Sequence, residues 1–253
     1  VSMLGITVGS AALILVLSVF NGFEDLVVKL YNSFYPEINV TLVEGKNFTP
    51  DENKLRQIHE LEDVEVFAKV LEENALLSYN HEEHIATIKG VDENYHAVTA
   101  VSDSVFIGGF DLQHGERKGA VIGAGIWLNL TINIVTLDSL MLEDRPIDVF
   151  MPKTGTASSY NMRQAFNQGT IYPTGTFRIQ QDFDNQYMFA PLGFMQKLLG
   201  GENKISAIEI KTKPGSNIAR VISQVEQIMG PEFVVKNRYQ QNEFLYKVMK
   251  TEK

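Results

Sequence analysis

The segment His81-Glu82-Glu83-His84 is the one cluster of metal-capable side chains that stands out in the sequence. It separates two short runs of strand-forming residues, where the turn of a β-hairpin is predicted. A zinc ion in a protein normally takes three or four converging ligands, and nothing nearby supplies the missing ones. We therefore interpret the segment as a solvated polar turn and predict no metal site.

The segment Gly123-Ala124-Gly125 begins like a dinucleotide-binding loop, but the third glycine of that motif is replaced by Leu128. The ATP-binding pattern GxxxxGK[ST], the hydrolase pattern GxSxG and the zinc-protease pattern HExxH are absent from the sequence. Asp182 and Asp184 are close in sequence and are predicted to be solvated loop residues. The sequence thus predicts a chain that is not an enzyme, with no catalytic, cofactor-binding or metal-binding residues and no cofactor.

Composition excludes further classes of function. The 253 residues carry a formal net charge of -9, which disfavours nucleic acid and extended contact with anionic lipid. The sequence contains no cysteine, so disulfides and thiolate chemistry are excluded. With 44% hydrophobic and 21% charged residues, most of the chain is expected to be globular and soluble.

The first residues differ from the rest. No charged side chain occurs from Val1 to Phe23, and residues 3–20 are almost all apolar or small. As a helix this stretch would measure about 27 Å, close to the roughly 30 Å hydrocarbon core of a bilayer. We predict a transmembrane helix in residues 1–22, with a buried soluble helix as the alternative. Since position 1 is not methionine and Lys253 falls within a helical pattern, we expect a segment of a longer polypeptide.

Two apolar stripes at helical spacing flank the middle of the chain. They consist of Phe23, Leu26, Val27, Leu30 and Phe34, and of Phe244, Leu245, Val248 and Met249. Pro36 ends the first helix, and Asn237 is placed to cap the second. We predict two stalk helices, residues 23–37 and 237–253, that pack together because an amphipathic helix buries its stripe against a neighbour. The residues expected to couple them are Leu26, Leu30, Phe34, Leu245 and Val248.

Between the stalks, strands and helices are mixed without regular βαβ alternation, which predicts an α+β fold. A capping box at residues 49–52 predicts a helix to about Leu61, and the spacing in residues 218–229 predicts an amphipathic helix closed by Gly230. Strands are predicted at 38–43, 64–70, 75–79, 84–91, 104–110, 120–122, 135–142, 147–151, 176–179, 187–190, 205–211 and 233–235, and short helices at 123–130 and 192–199.

No periodicity is visible between Pro152 and Pro173, where a long loop is predicted. Long loops in compact domains usually serve a function or are disordered. Residues 158–170 carry side-chain types that are enriched at protein interfaces, namely Tyr160, Met162, Arg163 and Phe166. We predict that this loop docks a partner; the alternative is a loop without a role.

Several segments, scattered over nearly the whole chain, resemble a known family. Ser18-Val19-Phe20-Asn21-Gly22-Phe23 resembles the Ser-Val-Met-Asn-Gly-Phe signature that ends the first membrane helix in ABC-transporter permeases of the LolC/LolE lipoprotein-releasing type. Ile88-Lys89-Gly90-Val91-Asp92 is similar to the Lys-Gly-Val-Asp element of these permeases, and Val121-Ile122-Gly123 to their Val-hydrophobic-Gly segment. The last two segments recur in the wider MacB-like permeases. The sequence departs from the family at residues 129–133, where Gly-Asp is usual.

The resemblance implies a bacterial inner-membrane complex powered by a separate cytoplasmic ABC ATPase subunit. Residues 23–253 would lie in the periplasm, with a porter-like subdomain at 38–92 and 192–236 and an inserted sabre-like subdomain at 93–191. The implied partners are a second permease copy or paralogue, membrane lipid, a lipoprotein substrate and a periplasmic carrier. The carrier would dock near residues 158–170, where LolC has a hook with a proline-rich tip that this sequence lacks.

Other functions remain open at this stage. A MacB-like exporter of drugs or peptides and an FtsX-like regulator of cell-wall hydrolases are the alternatives within transport. A membrane-anchored adhesin or scaffold without an ATPase is the alternative outside transport. The Asn-Gly-Phe segment is the feature that favours lipoprotein release.

Overall fold

The computed structural model describes residues 2–114, 117–132, 145–153 and 166–242. Outside these ranges lie the strand predicted at 135–142, the docking residues Tyr160, Met162 and Arg163, and the coupling residues Leu245 and Val248. The backbone of Leu26 and Leu30 is described within the first helix, but their side chains are not.

Helices and strands alternate irregularly along the described chain. The helices are α1 (Ser2–Phe34), α2 (Glu52–His59), α3 (Tyr95–Val98), α4 (Ala124–Asn129), α5 (Gln181–Gln186), α6 (Leu192–Leu198), α7 (Ile218–Met229) and α8 (Arg238–Gln241), with a 3₁₀ turn at Val101–Ser104. The strands are β1 (Ile38–Leu42), β2 (Val64–Tyr79), β3 (Glu82–Val91), β4 (Val105–Gly108), β5 (Gln113–His114), β6 (Arg117–Gly123), β7 (Ile147–Pro152), β8 (Phe166–Phe177), β9 (Tyr187–Pro191), β10 (Ala207–Thr212) and β11 (Phe233–Asn237).

The described strands assemble into a mixed sheet in the order β11-β1-β10-β2-β3-β9-β6-β8-β4, with β5 beside β6 and β7 pairing with both β2 and β8. The β3–β9 and β6–β8 pairs are parallel. Helices α2 and α7 cover one face near β1 and β10, so the α+β prediction is confirmed. Hydrogen bonds cross the predicted subdomain division, since β3 and β9 pair from Thr87↔Tyr187 to Val91↔Pro191.

The predicted hairpin is confirmed, with one correction. Strands β2 and β3 are joined at Asn80 and His81, both with positive φ (49° and 73°), as a tight two-residue turn requires. Strand β2 is continuous where two strands were predicted. The polar residues in the middle of β2 face polar partners on β3, because Glu72 lies opposite Lys89 and Asn74 opposite Thr87.

Helix α7 shows why the amphipathic prediction succeeded. Val221, Val225 and Met229 are buried on one face, and they pack with Ile208 of β10 in one apolar cluster. Burying a side chain of this size contributes about 1.5–3 kcal/mol. The helix ends at Gly230, whose φ of 90° is readily adopted by glycine.

The capping box predicted at residues 49–52 is wrong, because α2 begins two residues later than predicted. Asp51 is the N-cap, and its carboxylate accepts a hydrogen bond from the amide of Asn53 at 2.8 Å. Thr49 and Pro50 therefore precede the cap instead of forming it. A carboxylate at this position also interacts favourably with the positive end of the helix dipole.

The long loop predicted up to Pro173 is wrong from Phe166 onward. Residues 166–170 belong to β8, and they pair with β7 from Pro152↔Phe166 to Asp148↔Thr170. The alternation was not visible because glycine and proline occupy many of its positions. At Gly169 an added Cβ would lie 3.0 Å from Leu198 and 3.1 Å from Phe194, so α6 packs closely over the strand there.

The acidic pair predicted as loop residues lies in helix α5. Asp182 is exposed, whereas Asp184 is buried and accepts a hydrogen bond from the amide of Ile179 at 2.8 Å. Burial raises the pKa of Asp184, and backbone donors oppose that effect. Asp184 thus helps to hold the connection between β8 and β9 in place.

Helix α1 runs without interruption over 33 residues, from Ser2 to Phe34. Among the side chains that the structure describes, no helix offers a run long and apolar enough to cross a membrane. Large apolar residues of its first half are nevertheless exposed, for example Leu13, Leu15 and Val19 at 63%, 66% and 65%.

Candidate coupling site at the end of helix α1

The last turn of α1 is anchored in the domain by aromatic side chains. Phe34 is only 1% exposed. Its ring stacks on Phe183 with a centroid separation of 4.1 Å and meets Tyr187 at 4.6 Å. Phe34 is the one predicted coupling residue whose side chain is described, and it lies in the core of the domain instead of on an external stalk surface.

Helical spacing brings three aromatic residues to the same place. Tyr31 and Phe34 share one face of α1, and Tyr35 directly follows the helix. All three contact Phe183 of α5, with Tyr31 at 5.5 Å and Tyr35 at 5.6 Å. An aromatic pair of this kind adds about 0.5–1.5 kcal/mol beyond the area that it buries. The end of α1 is thus attached to the connection between β8 and β9.

A buried cation lies directly beneath this aromatic group. Lys89 of β3 is 2% exposed, and its Nζ donates to Glu209 Oε1 at 2.6 Å and lies 3.1 Å from Glu72 Oε1. The same Nζ lies 5.3 Å from the ring centroids of Phe34 and Tyr95. A cation at this distance from an aromatic face is attracted by the ring quadrupole.

The charges of this group depend on one another. Burial disfavours the charged form of Lys89, but Glu209, with smaller contributions from Tyr95 and Glu72, outweighs this and holds the pKa of Lys89 well above its ordinary value. Burial raises the pKa of Glu209, and Lys89 acts in the opposite direction. Lys89 is therefore a cation at neutral pH, and its burial depends on retaining these partners.

The returning chain is attached to the same end of α1. Arg238 Nε donates to the carbonyl of Tyr35 at 3.0 Å, and Gln241 Nε2 donates to the carbonyl of Pro36 at 3.0 Å. The predicted cap at Asn237 is confirmed, since it forms a capping box with Gln240 at the start of α8. Helix α8 itself ends at Gln241, where Asn242 is extended, and the rest of the stalk helix predicted at 237–253 lies outside the described residues. Both chain segments that would lead toward a membrane therefore meet at one point of the domain.

The exit from α1 is also fixed by Glu37. Its carboxylate accepts hydrogen bonds from the amide and hydroxyl of Thr212, at 2.7 and 2.6 Å. Hydrogen bonds to an ionised carboxylate are stronger than neutral ones. Glu37 therefore joins the start of β1 to the end of β10 immediately after the helix.

Sequence reasoning identified Phe34 from its spacing but not the role of Lys89. The sequence feature that could have pointed to Lys89 was the Lys-Gly-Val-Asp element at residues 89–92. At Gly90, an added Cβ would lie 2.5 Å from Met195 Cγ, so glycine allows α6 to pack on β3. Asp92 accepts from the amide of Lys69 at 2.8 Å and fixes the end of the hairpin. The element thus positions Lys89 and closes β3.

The arrangement can transmit displacement, because one long helix and one return segment are attached to a packed sheet at a single point. Within the residues that the structure describes, no group of three or more His, Asp or Glu side chains could hold a metal ion. His84, predicted in a solvated polar turn, lies in β3, and its Nε2 is within hydrogen-bonding distance of the carbonyl of Asn185, at 2.7 Å.

Phe166 is the one predicted docking residue that the structure describes, and it lies apart from the coupling site. Phe166 is half-buried at the start of β8, opposite Pro152. Nearby, a cleft of about 330 Å³ is lined by Gln168, Lys118 and Lys197, among others. Tyr160, Met162 and Arg163 lie outside the described residues, so the docking loop at 158–170 stays a prediction.

Comparison with known proteins gives a family and a fold. Residues 1–228 match the profile of the MacB-like periplasmic core domain family. The crystal structure of the periplasmic region of MacB from Actinobacillus actinomycetemcomitans is 10% identical, with a TM-score of 0.51 over 87% of this chain and 94% of that one. The extracellular domain of the noncanonic ABC-type transporter YknZ from Gram-positive bacteria is 12% identical, with a TM-score of 0.50 over 79% of this chain and 99% of that one. No curated protein sequence is similar enough to serve as a relative.

Proposed function

The chain belongs to the MacB-like periplasmic core domain family, and from this premise we propose that it is the extracytoplasmic coupling domain of a bacterial ABC-transporter permease. A separate cytoplasmic ATPase supplies the energy, and this chain transmits the resulting motion to a substrate in the periplasm. The observation that carries the proposal is the shared anchorage of the end of α1, by Phe34 in the core and by Arg238 on the backbone of Tyr35.

The dimensions of α1 support a mechanical role. At about 1.5 Å per residue, its 33 residues extend for roughly 50 Å, which exceeds the roughly 30 Å core of a bilayer. The exposed apolar residues between Val8 and Val19 need an apolar environment. We place this half of the helix in the inner membrane and the half ending at Phe34 above it, as part of a stalk. A helix without a break carries movement from one half to the other.

We propose lipoprotein release as the transported process. Support comes from the resemblance of residues 18–23 to the permeases of that group. The lipoprotein would be extracted from the outer leaflet of the inner membrane and passed to a periplasmic carrier. The second candidate is a MacB-like exporter, which the family profile and the fold of the MacB periplasmic region favour.

The division into a porter-like and a sabre-like part is retained as a proposal. Residues 38–92 and 192–236 would form the first part and residues 93–191 the second. The parallel β3–β9 pair would then be the rigid joint between them. A second permease copy or a paralogue would complete the transporter.

The experiment uses the full-length permease with its ATPase in proteoliposomes. We expect Phe34→Ala to abolish substrate movement while ATP hydrolysis continues, because the helix end loses its contact with the core of the domain. Phe48→Ala is the aromatic control, since Phe48 is half-buried and packs against the separate cluster beneath α2 and α7. Equal loss of transport in both variants would mean that only domain stability matters, and the coupling proposal would then fail.

The substrate is decided in the same vesicles. Release of a fluorescent lipidated protein to a soluble carrier is compared with efflux of an amphipathic dye. ATP-dependent lipoprotein release without dye efflux supports the first candidate. Dye efflux without lipoprotein release identifies the exporter.

A further inference from the structure

A polar cleft lies next to the coupling site, on the sheet face opposite α2 and α7. Strand β1 alternates, so that Ile38 and Val40 enter the core beneath those helices while Asn39 and Thr41 face the cleft. The cleft has a volume of about 420 Å³, and its lining also includes Glu72, Glu73 and Glu209. This is enough space for one or two side chains of a partner.

The charges around the cleft do not balance. Three carboxylates line it, those of Glu72, Glu73 and Glu209. Lys46 pairs with Glu73 at 3.2 Å, and the single ammonium of Lys89 serves both Glu209 and Glu72. Three carboxylates thus share two ammonium groups, which leaves one excess negative charge.

Two hydrogen-bond acceptors at the cleft are unused. Glu209 Oε2 and Asn39 Oδ1 are buried and have no hydrogen-bond partner among the described residues. The two residues lie directly opposite each other on β10 and β1, and the side chain of Glu209 is only 3% exposed. A buried polar atom without a partner costs about 1–3 kcal/mol. Both atoms are acceptors, so the missing partner is a donor.

We propose that this cleft binds an alkylammonium or guanidinium group, either of a small amine or of a basic side chain in a peptide. A planar guanidinium can donate to two neighbouring acceptors at once. A metal ion fits less well, because the described carboxylates do not converge into a group that could hold one. The proposal is independent of which substrate the permease moves.

The position of the cleft gives such a ligand access to the coupling site. Glu209 contributes one oxygen to Lys89 and leaves the other without a partner. Lys89 in turn lies over the ring of Phe34. A cation bound at Glu209 therefore acts on the same carboxylate that holds Lys89 beneath the end of α1.

The test uses the intact chain in detergent micelles and three probes: n-butylammonium, ethylguanidinium and an acetylated, amidated Gly-Arg-Gly peptide. Binding is followed by NMR shifts of the backbone amides of β1 and β10 and of the Asn39 side-chain amide. We expect saturable shifts confined to these groups, which weaken as salt increases. Binding of ethylguanidinium and peptide alike identifies a small cation as sufficient, and binding of the peptide alone identifies a basic peptide side chain. Both results support the proposal.

Substitutions with opposite expected effects complete the test. Lys46→Gln frees Glu73 and should tighten binding by about threefold, as expected for a partly exposed charge. Lys213→Gln removes an equal charge outside the cleft and should leave binding unchanged. Asn39→Leu removes an acceptor at similar volume and should weaken binding by about tenfold. No saturable shift with any probe, or an equal effect of Lys46→Gln and Lys213→Gln, would overturn the proposal.

Discussion

Lys89 Nζ lies 5.3 Å from the ring centroid of Phe34, so the end of the long helix rests on a buried cation. The same Nζ donates to Glu209 Oε1 at 2.6 Å. Lys89 thus contacts both the ring of Phe34 at the end of α1 and the carboxylate of Glu209 on β10. Through these two contacts, the packing of the helix end depends on the buried charges of Lys89 and Glu209.

Removing the Phe34 ring should loosen the helix in proportion to the volume lost. Phe34→Ala should lower the free energy of unfolding by about 3–5 kcal/mol, the usual range for a buried aromatic residue. Phe34→Leu should cost less because it fills part of the space. Urea unfolding of the chain in mild detergent measures both. Equal effects of the two substitutions would contradict close packing around the ring.

Because Lys89 and Glu209 form a buried ion pair, removing one charge should destabilise the fold much more than removing both. Lys89→Met leaves a buried carboxylate with less compensation and should cost about 3–5 kcal/mol, whereas Lys89→Met with Glu209→Met should recover most of that loss. The exposed pair Lys211–Glu65, at 3.3 Å, provides the matched control. Its double-mutant cycle should give a coupling of about 0–1 kcal/mol. Similar coupling energies in the two cycles would refute this assignment.

Residue spacing predicted elements whose apolar pattern is regular. Helix α7 and the β2–β3 hairpin were predicted in this way. Strand β8 was predicted only at its end, by the strand at 176–179, because Gly169, Pro173 and Gly175 occupy positions where alternation is normally seen. A glycine in a strand carries no side chain to reveal which face is buried, and the register of β8 with β7 is a tertiary feature.

The candidate site was predictable only in part, for a related reason. Phe34 belongs to a local helical stripe that the sequence displays. Lys89, Glu209 and Phe183 are far apart in sequence, and they converge only because β3 and β10 both flank β2 and β9 lies beside β3. A lysine within a strand gives no indication of burial until its carboxylate partners are known.

Stability should fall in alkaline solution, and Tyr187 should contribute to the loss. Burial, followed by Glu72, raises the pKa of Tyr187 above its ordinary value of 10.0. The unfolded chain therefore releases this proton first, and stability falls as pH rises above about 10 toward the folded-state pKa. Lys89 contributes in the same sense, because its pKa is also raised. Tyr187→Phe should flatten the decline in unfolding free energy between pH 9 and about 11. An unchanged slope would exclude Tyr187 as a source.

The cap of α2 predicts unequal effects at two neighbouring positions. Asp51→Ala should lower the free energy of unfolding by about 1 kcal/mol, because the amide of Asn53 loses its acceptor. Thr49→Ala should change it by less than about 0.5 kcal/mol, the usual range for a surface substitution. Chemical denaturation distinguishes the two. A larger effect at Thr49 would restore the capping box predicted from the sequence.

Two hydrogen bonds attach α8 to the end of α1, and removing them should impair transport without unfolding the domain. Arg238→Met with Gln241→Leu retains similar side-chain volume but removes the donors to the carbonyls of Tyr35 and Pro36. Each hydrogen bond contributes about 0.5–1.5 kcal/mol, so the domain should remain folded. Hydrogen exchange should increase locally around residues 35–38 and 237–242, and substrate movement should fall while ATP hydrolysis persists.

Arg220→Met is the control, because Arg220 is exposed and its nearest carboxylate oxygen lies 3.8 Å away. Removing it should alter neither hydrogen exchange at the end of α1 nor transport. If the double variant shows the local increase in exchange but transports normally, the two segments are adjacent without acting together. Motion would then have to reach the sheet through the aromatic contacts of the helix end. Transport by the Phe34→Ala variant in proteoliposomes would then be the measurement that decides whether α1 is coupled to the sheet.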